Sequence, residues 1–532
     1  MKEYKIGKKL EELAAKAHDQ YVQSKIKELS KIPTGEFSKD DLKNLSDSFV
    51  SRYEKSLANF EPTKTTKIKL PIYSQIDLEP KLSYIYSMAY IQRMAYIKQL
   101  SFSYMAYPGA LHSRLEHSLG VSYLIGEFCN HLQNSDRSLN DETILSAKVA
   151  GMLHDAGHGP CGHSLELIKS YISPKKGRGD YRKLDKLLIC DELNNKSSAI
   201  RRALDSIEVD HEFIGQLLGC DEGINRQLIY LTDLFDSAVD ADRIDYLARD
   251  SYHVGKASIE NPLDYARSAT ICRYTDEKQK VYDRLSLAYT KDAIGDCIKI
   301  INARKNMYAE VYEQIDRVAA DEMICHALYY LIDDFQLDKT QEGNLIIRNL
   351  LKLTDHELLF LLRVSGKEDI INLIESLLTT NLYSEICSFP LNSKEHPEIG
   401  KFASSILALG YYLKVKKEQE FWESIDNNIK GLIPQKEVLR PRIFIYVPTF
   451  VKDAEQTERE KRVINDTLIC QDGGRAVPIS TIPSAPTESL DPRTFNLRLF
   501  APSILTKHKE KIKNDFIEFV AECVQESQAT SK

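Results

Sequence analysis

From about Lys81 to Leu331, apolar residues recur three and four positions apart, with few alternating stretches between them. That spacing lines one stripe of each helix with apolar side chains, and such stripes are buried by packing helix on helix. A long helical core is therefore the expected centre of the molecule. With 532 residues, the chain has room for two or three domains. Residues 1 to 65, rich in Lys, Glu and Leu and broken at Pro33-Thr34-Gly35, predict charged surface helices forming an N-terminal arm. Alternation between Thr66 and Leu78 predicts a short hairpin. Residues 340 to about 435 read as further amphipathic helices. Arg442–Pro448 alternates like a strand that Phe495–Phe500 can pair with, across a Pro/Ser/Thr-rich loop at Thr481–Pro492. A last helix is expected over about Ser503–Val524. The fold class is mainly α, with an arm at 1–65, a helical core at 66–335 and a small α+β lobe at 336–532.

Hydrophobic residues make up 42% of the chain and charged residues 28%, the balance of an ordered soluble protein. A net charge of −7 gives no global attraction to nucleic acid or anionic membrane, so any basic contact surface must be local. The ten cysteines show no CxxC pair and no regular spacing, which reads as reduced thiols. With a charged start at Met1-Lys2-Glu3 and no run of about 18 apolar residues, the expectation is a cytoplasmic protein without a membrane span.

The chemistry concentrates in three segments. On a helix, His117 shares a stripe with Val121, Leu124 and Phe128 and so points inward. An inward histidine alone is more often a hydrogen-bonded core residue than a ligand. In the second segment Asn140 is a plausible N-cap, and Leu145, Val149, Met152 and Leu153 form a stripe ending in His154-Asp155, with Gly157 as the expected left-handed cap. A buried His-Asp pair is costly unless something neutralises it. With a second inward His, that set suits Fe, Mn, Zn or another divalent ion; a structural ion pair is the alternative. In the third segment Asp242, Tyr246, Arg249 and Asp250 share one helical face, either a solvated surface or the wall of a site. Gly157-His-Gly-Pro-Cys-Gly162 matches GxGxxG literally, but it follows a helix and contains Pro, which argues against a dinucleotide fingerprint.

These segments resemble the HD-domain phosphohydrolases, and within them the deoxynucleoside triphosphate (dNTP) triphosphohydrolases. The likeness runs from about Lys67 to Tyr312 through Gln92-Arg-Met-Ala-Tyr-Ile-Lys-Gln-Leu100, His112-Ser-Arg-Leu-Glu-His-Ser-Leu-Gly-Val121, His154-Asp-Ala-Gly-His-Gly-Pro-Cys-Gly-His163 and Asp242-Arg-Ile-Asp-Tyr-Leu-Ala-Arg-Asp250. The resemblance implies a divalent metal (Mn, Fe, Mg or Zn) on His117, His154, Asp155 and Asp242. It also implies catalytic histidines at His158, His163 and His211, with His163 the candidate general acid, and a phosphate-holding arginine at Arg114. Gln99, Leu100, Tyr246, Asp250 and Tyr308 fall where the family surrounds the sugar, and Arg243 where a basic phosphate contact is usual. The implied reaction is attack of a metal-activated water at the α-phosphate of a dNTP, giving deoxynucleoside and triphosphate. Packing of Leu100 and Tyr308 near C2′ would exclude ribose. Ser87 and Ala95 stand where guanine-activated members carry an Asp and an Arg, which argues against activation at that position. Family members are commonly oligomeric, so a homo-oligomer is expected. Two other readings remain open: an HD-type phosphodiesterase or nuclease, for which the basic stretch with Lys175, Lys176 and Arg178 offers a nucleic-acid contact, and a non-catalytic nucleotide sensor.

Overall fold

The structure, a computed structural model, describes residues 37–53, 65–162, 164–165, 184–221, 223–256, 259–276, 281–409, 411–433, 440, 442–448, 467–482 and 495–530. The chain enters through helix α1 (Lys39–Ser51), closed at its start by a Ser38/Asp41 capping box. The hairpin β1 (Thr66–Leu70) and β2 (Ser74–Leu78) follows where alternation predicted it. The helices that frame the site are α2 (Arg114–Leu132), α3 (Asp141–Leu153), α4 (Leu184–Asn194), α5 (His211–Leu217) and α6 (Ala241–His253). Ser113, Asn140 and Asp240 cap α2, α3 and α6 by accepting from backbone N–H groups of the first turn, so the start of each site helix is fixed by sequence.

Next comes an antiparallel hairpin, β3 (Ala269–Asp276) and β4 (Val281–Tyr289), inside the stretch read as helical. Its Val, Ile, Tyr and Leu residues at alternating positions supply the strand signal, which the surrounding helical periodicity masks. Beyond it α7 (Ile294–Met307) runs into a π-turn at Tyr308–Tyr312, and α8 (Ile315–Asp334) crosses the core. The region read as amphipathic helices contains a strand as well, β5 (Ser384–Pro390), before α9 (Pro397–Leu409) and α10 (Tyr411–Ser424). Then come β6 (Phe444–Tyr446), β7 (Leu468–Cys470), β8 (Ala476–Pro478), β9 (Asn496–Ala501) and α11 (Lys509–Thr530). The predicted pairing of the Arg442 and Phe495 segments is present: β6 runs antiparallel to β9, with Phe444 opposite Phe500, and β5 flanks the other side. β7 and β8 join the β3–β4 hairpin in a four-stranded sheet.

One large apolar core spans α1 through α8 and takes in Val415, Phe444 and Phe500 from the later part of the chain. A second core gathers β5, β9, α9, α10 and α11 around Phe389, Phe402, Phe421 and Phe516. The molecule is mainly helical with small sheets. No helix among the described residues is long and apolar enough to cross a membrane.

Two expectations need correcting. The cysteines are not all thiols: Cys190 is bonded to Cys220 and Cys272 to Cys470, the latter tying β3 to β7. Separations of 30 and 198 residues carry no spacing signal, so only the tertiary fold reveals the partners. Gly157 is not a left-handed cap; the left-handed residues in this turn are Cys161 and Gly162. Gly157 is needed for close approach instead, because a Cβ there would stand 1.9 Å from the carbonyl oxygen of Asp185 on α4. The N-terminal segment before residue 37 and most of the basic stretch around Lys175 lie outside the described residues.

Candidate metal centre

Three helix ends meet at one point. His117 sits one turn into α2, His154 is the residue on which α3 ends, and Asp242 lies in the first turn of α6. His117 Nε2 is 3.3 Å from His154 Nε2 and 3.0 Å from Asp242 Oδ1. Asp155 stands beside them, 3.5 Å from His154 Nε2 and 3.7 Å from His117 Nε2. His117, His154 and Asp242 bring ligand atoms within 4.8 Å of one another, as do Asp155, His158 and Asp185 next door. Asp242 is 35% exposed and forms the open edge, while Asp155 and His117 are buried.

The orientation of the rings says what belongs between them. His117 Nδ1 lies 2.8 Å from the carboxylate of Asp245, and His154 Nδ1 lies 2.7 Å from the carbonyl oxygen of Gly151. Both partners accept, so each Nδ1 donates, and a neutral ring turns its Nε2 lone pair inward. Two lone pairs and two carboxylates facing one another are repulsive unless a cation lies between them. Without metal, protons fill that role. Burial opposes charging His117, yet hydrogen bonds to Asp242 and Asp245 outweigh it and push the ring up to about 10. His154 is raised despite burial, chiefly by the Asp155 charge. Burial likewise opposes ionisation of Asp155 and Asp242, but the adjoining histidines, with Arg114 at Asp155, hold both well below the usual carboxylate range. The donor set of two imidazoles and two carboxylates fits a divalent transition ion.

Around this point the other candidate residues divide. Arg114 is buried and donates through Nη1 to Asp155 at 2.6 Å, while its Nε has no partner among the described residues. His158 is buried, with Nδ1 3.5 Å from both Asp155 and Asp185. His211 opens α5 and its ion-pair neighbours are Asp205 and Glu212, so among the described residues it does not touch the cluster. Arg243 folds back toward Asp240 at 3.7 Å. Tyr246 stands edge-on to His117, Tyr312 edge-on to Tyr246, and Tyr308 edge-on to Tyr312, an aromatic wall leading away from the cluster. Asp250 is buried between His112 and Tyr312. Leu100 is buried, and Gln99 Oε1 has no partner among the described residues. His163 lies outside them. The face shared by Asp242, Tyr246, Arg249 and Asp250 is not a solvated surface, since Arg249 and Asp250 are buried.

Sequence reasoning missed the groups that hold these residues. Asp245 accepts from His117, from the Tyr73 hydroxyl at 2.8 Å and from Arg249 through both oxygens. Its signal was present, an acid and an arginine four apart on α6. A side chain at Gly120 would collide with this Asp245–Arg249 pair, its Cβ 1.9 Å from Asp245 Oδ2, so α2 needs glycine where α6 crosses it. Arg93, also buried, donates to the carbonyl oxygens of Ala156 and His158 at 2.8 Å and clamps the turn that presents Asp155.

Comparison with known proteins agrees with this arrangement. A family model described as the HD domain matches residues 114–250. The chain is 26% identical over 265 residues to the deoxynucleoside triphosphate triphosphohydrolase SAMHD1 of Gallus gallus, covering 46% of this chain and 42% of that one. To the Homo sapiens protein of the same name it is 25% identical over 284 residues, 50% and 44% of the two chains. It is 30% identical over 325 residues to the uncharacterised protein MJ1154 of Methanocaldococcus jannaschii, covering 60% of this chain and 59% of that one. The chain thus spans about half the length of the curated relatives it matches. The matched segment begins at Arg114, ends at Asp250 and encloses all four converging side chains, so the site lies within an HD domain, and the chain is similar over about half its length to proteins of the dNTP triphosphohydrolase type.

Proposed function

We propose that the chain is a metal-dependent dNTP triphosphohydrolase that releases deoxynucleoside and inorganic triphosphate. The observation that carries the reading is the pair of inward Nε2 atoms 3.3 Å apart, with both Nδ1 atoms committed outward. His117, His154, Asp155 and Asp242 would hold a divalent cation there, which supplies polarisation of the α-phosphate and a lowered pKa for a bound water. Two imidazoles favour Mn, Fe or Zn over Mg, which prefers an all-oxygen shell.

The chain's own residues then have distinct tasks. Arg114, anchored on Asp155, offers its remaining guanidinium donors to phosphate oxygens and keeps the chain charge-matched when a polyanion enters. His158, buried beside Asp155 and Asp185, would act next to the same phosphate, and His163 is the residue assigned to protonate the departing 5′-oxygen. The Tyr246–Tyr312–Tyr308 wall and the Asp250 carboxylate suit an apolar sugar face and its hydroxyl. The test is direct: purified protein is incubated with each dNTP and Mn²⁺, Fe²⁺ or Mg²⁺, and inorganic triphosphate is measured. A metal-loaded protein that releases none from any nucleotide overturns the reading. Cleavage of single-stranded DNA in its place would favour the nuclease alternative.

A further inference from the structure

Two turns along α6 from Asp242, the Asp250 carboxylate is gripped at both oxygens. His112 Nε2 lies 2.8 Å from Oδ1, and the Tyr312 hydroxyl donates to Oδ2 at 2.6 Å. His112 is itself buried, and its Nδ1 has no partner among the described residues. Its ring is fixed by stacking on His253, with centroids 4.3 Å apart and planes 13° from parallel. Its backbone is fixed too: the Gln99 N–H donates to the His112 carbonyl at 3.0 Å, and Lys98 bridges to Ser113. The turn bearing Gln99 and Leu100 is thereby registered against His112.

The support does not stop there. His253 Nε2 lies 3.4 Å from Glu116, Glu116 accepts from Arg249 at 2.8 Å, and Arg249 forks onto Asp245, which accepts from His117. A continuous chain of contacts, polar except for the His112–His253 stack and partly exposed at His253 and Glu116, therefore joins the Asp250 carboxylate to His117.

We propose that His112 is a positioning residue that aims the Asp250 carboxylate at the sugar hydroxyl of the bound nucleotide; the inference rests on the triphosphohydrolase reading above. A 2′-deoxynucleoside triphosphate carries one free sugar hydroxyl, the 3′. A carboxylate held by one donor on each oxygen cannot rotate, yet each oxygen keeps a lone pair to accept from that hydroxyl. His112 thus acts on substrate selection without touching substrate.

The experiment compares a dNTP with its 2′,3′-dideoxy analogue in the full-length metal-loaded protein, wild type and His112→Phe, His112→Gln and Tyr312→Phe variants, recording kcat, KM and bound metal. His112→Phe keeps a ring to stack on His253 and loses the donor. It should raise KM for the dNTP by about tenfold, the scale of one charge-assisted hydrogen bond, and shrink the preference for the 3′-hydroxyl toward unity with metal content unchanged. His112→Gln, whose amide N–H reaches a similar point, should recover most of that preference. An unchanged preference in His112→Phe, an equal loss on both substrates, or no recovery in His112→Gln overturns the inference. If His112→Phe does not fold, Tyr312→Phe decides, since an unchanged 3′-hydroxyl preference there overturns it as well. A wild type that turns over no nucleotide defeats the parent reading; an active wild type with an indifferent His112→Phe defeats this one alone.

Discussion

His117, His154 and Asp242 in one place, and Glu322, His326 and Glu418 in another, each bring histidine and carboxylate atoms within 4.8 Å. Both groups are built on helices and both border the large core. In the second, the cation is already part of the chain. Lys414 on α10 is buried, bonds Glu322 and lies 4.0 Å from Glu418. Both ring nitrogens of His326 face oxygens, the Glu322 carbonyl at 2.8 Å and the Glu418 carboxylate at 2.7 Å, and the Ile445 N–H takes the remaining Glu418 oxygen. Burial opposes charging Lys414, but Glu322 and Glu418 raise its pKa all the same. In the first group the histidines spend their outer nitrogens on Asp245 and Gly151 and leave their inner ones facing each other. Proximity of ligand types does not make a metal site; an unanswered charge demand does.

The largest expected effect breaks the first group open. Asp242→Ala removes an anionic ligand at the exposed edge, so the purified protein should lose bound metal and nucleotide turnover together, remaining folded but melting below wild type because the stabilising ion is gone. Full metal occupancy in that variant, by elemental analysis, would remove Asp242 from the ligand set. In the second group Lys414→Met should leave turnover and bound metal alone and cost stability, about 3–5 kcal/mol by denaturant titration, because Glu322 and Glu418 are left buried without their cation. Loss of less than about 1 kcal/mol would mean that the lysine is not the neutralising partner it looks like.

These differences also explain how much could be read from the chain. The helical core, the β1–β2 hairpin, the β6–β9 pairing and the cap at Asn140 rest on local periodicity and turn chemistry, and all are visible in sequence. So is the inward direction of His117, a consequence of its stripe. What local pattern cannot encode is which distant partner a buried polar group finds. The Lys414 cluster draws on α8 and α10 nearly a hundred positions apart, and the His112–Asp250 contact joins residues 138 apart. Neither follows from periodicity, because each partner looks by itself like an ordinary polar residue on a helix. The β3–β4 hairpin was hidden for a different reason, since eight- and nine-residue strands sit between long helical stretches whose spacing dominates any window.

A finer test of the comparison concerns Asp245, which has no counterpart in the lysine cluster. It fixes the His117 tautomer that presents Nε2 to the centre. Asp245→Asn retains an acceptor but removes the charge and allows the amide to donate, so the ring can turn or change tautomer. Metal affinity should fall about 10–100-fold with the same ligands in place. Competition against a chelator of known affinity measures it, and an unchanged constant would show that helix geometry alone orients His117.

The smallest effect separates a proton from a metal as the resident cation. In chelator-treated protein, His117 keeps its proton up to about 10, against an ordinary value of 6.5. The folded state is therefore the one that binds the extra proton across that window. The stabilisation is complete below 6.5, where the unfolded ring is protonated too, and is lost as pH rises toward 10. One such group gives a decline of up to about 1.4 kcal/mol per pH unit. His154 is shifted in the same direction and adds to it. A bound divalent ion displaces these protons, so the decline should flatten when Mn²⁺ is restored, and metal affinity should rise over the same range because displacing a proton costs less as pH increases. The Lys414 cluster carries its own cation and titrates alike in both preparations, so it cancels from the difference. Urea midpoints followed from neutral to alkaline pH, with chelator and with Mn²⁺, read that difference directly. Parallel curves would mean that no proton is held between His117 and Asp242 for a metal to replace.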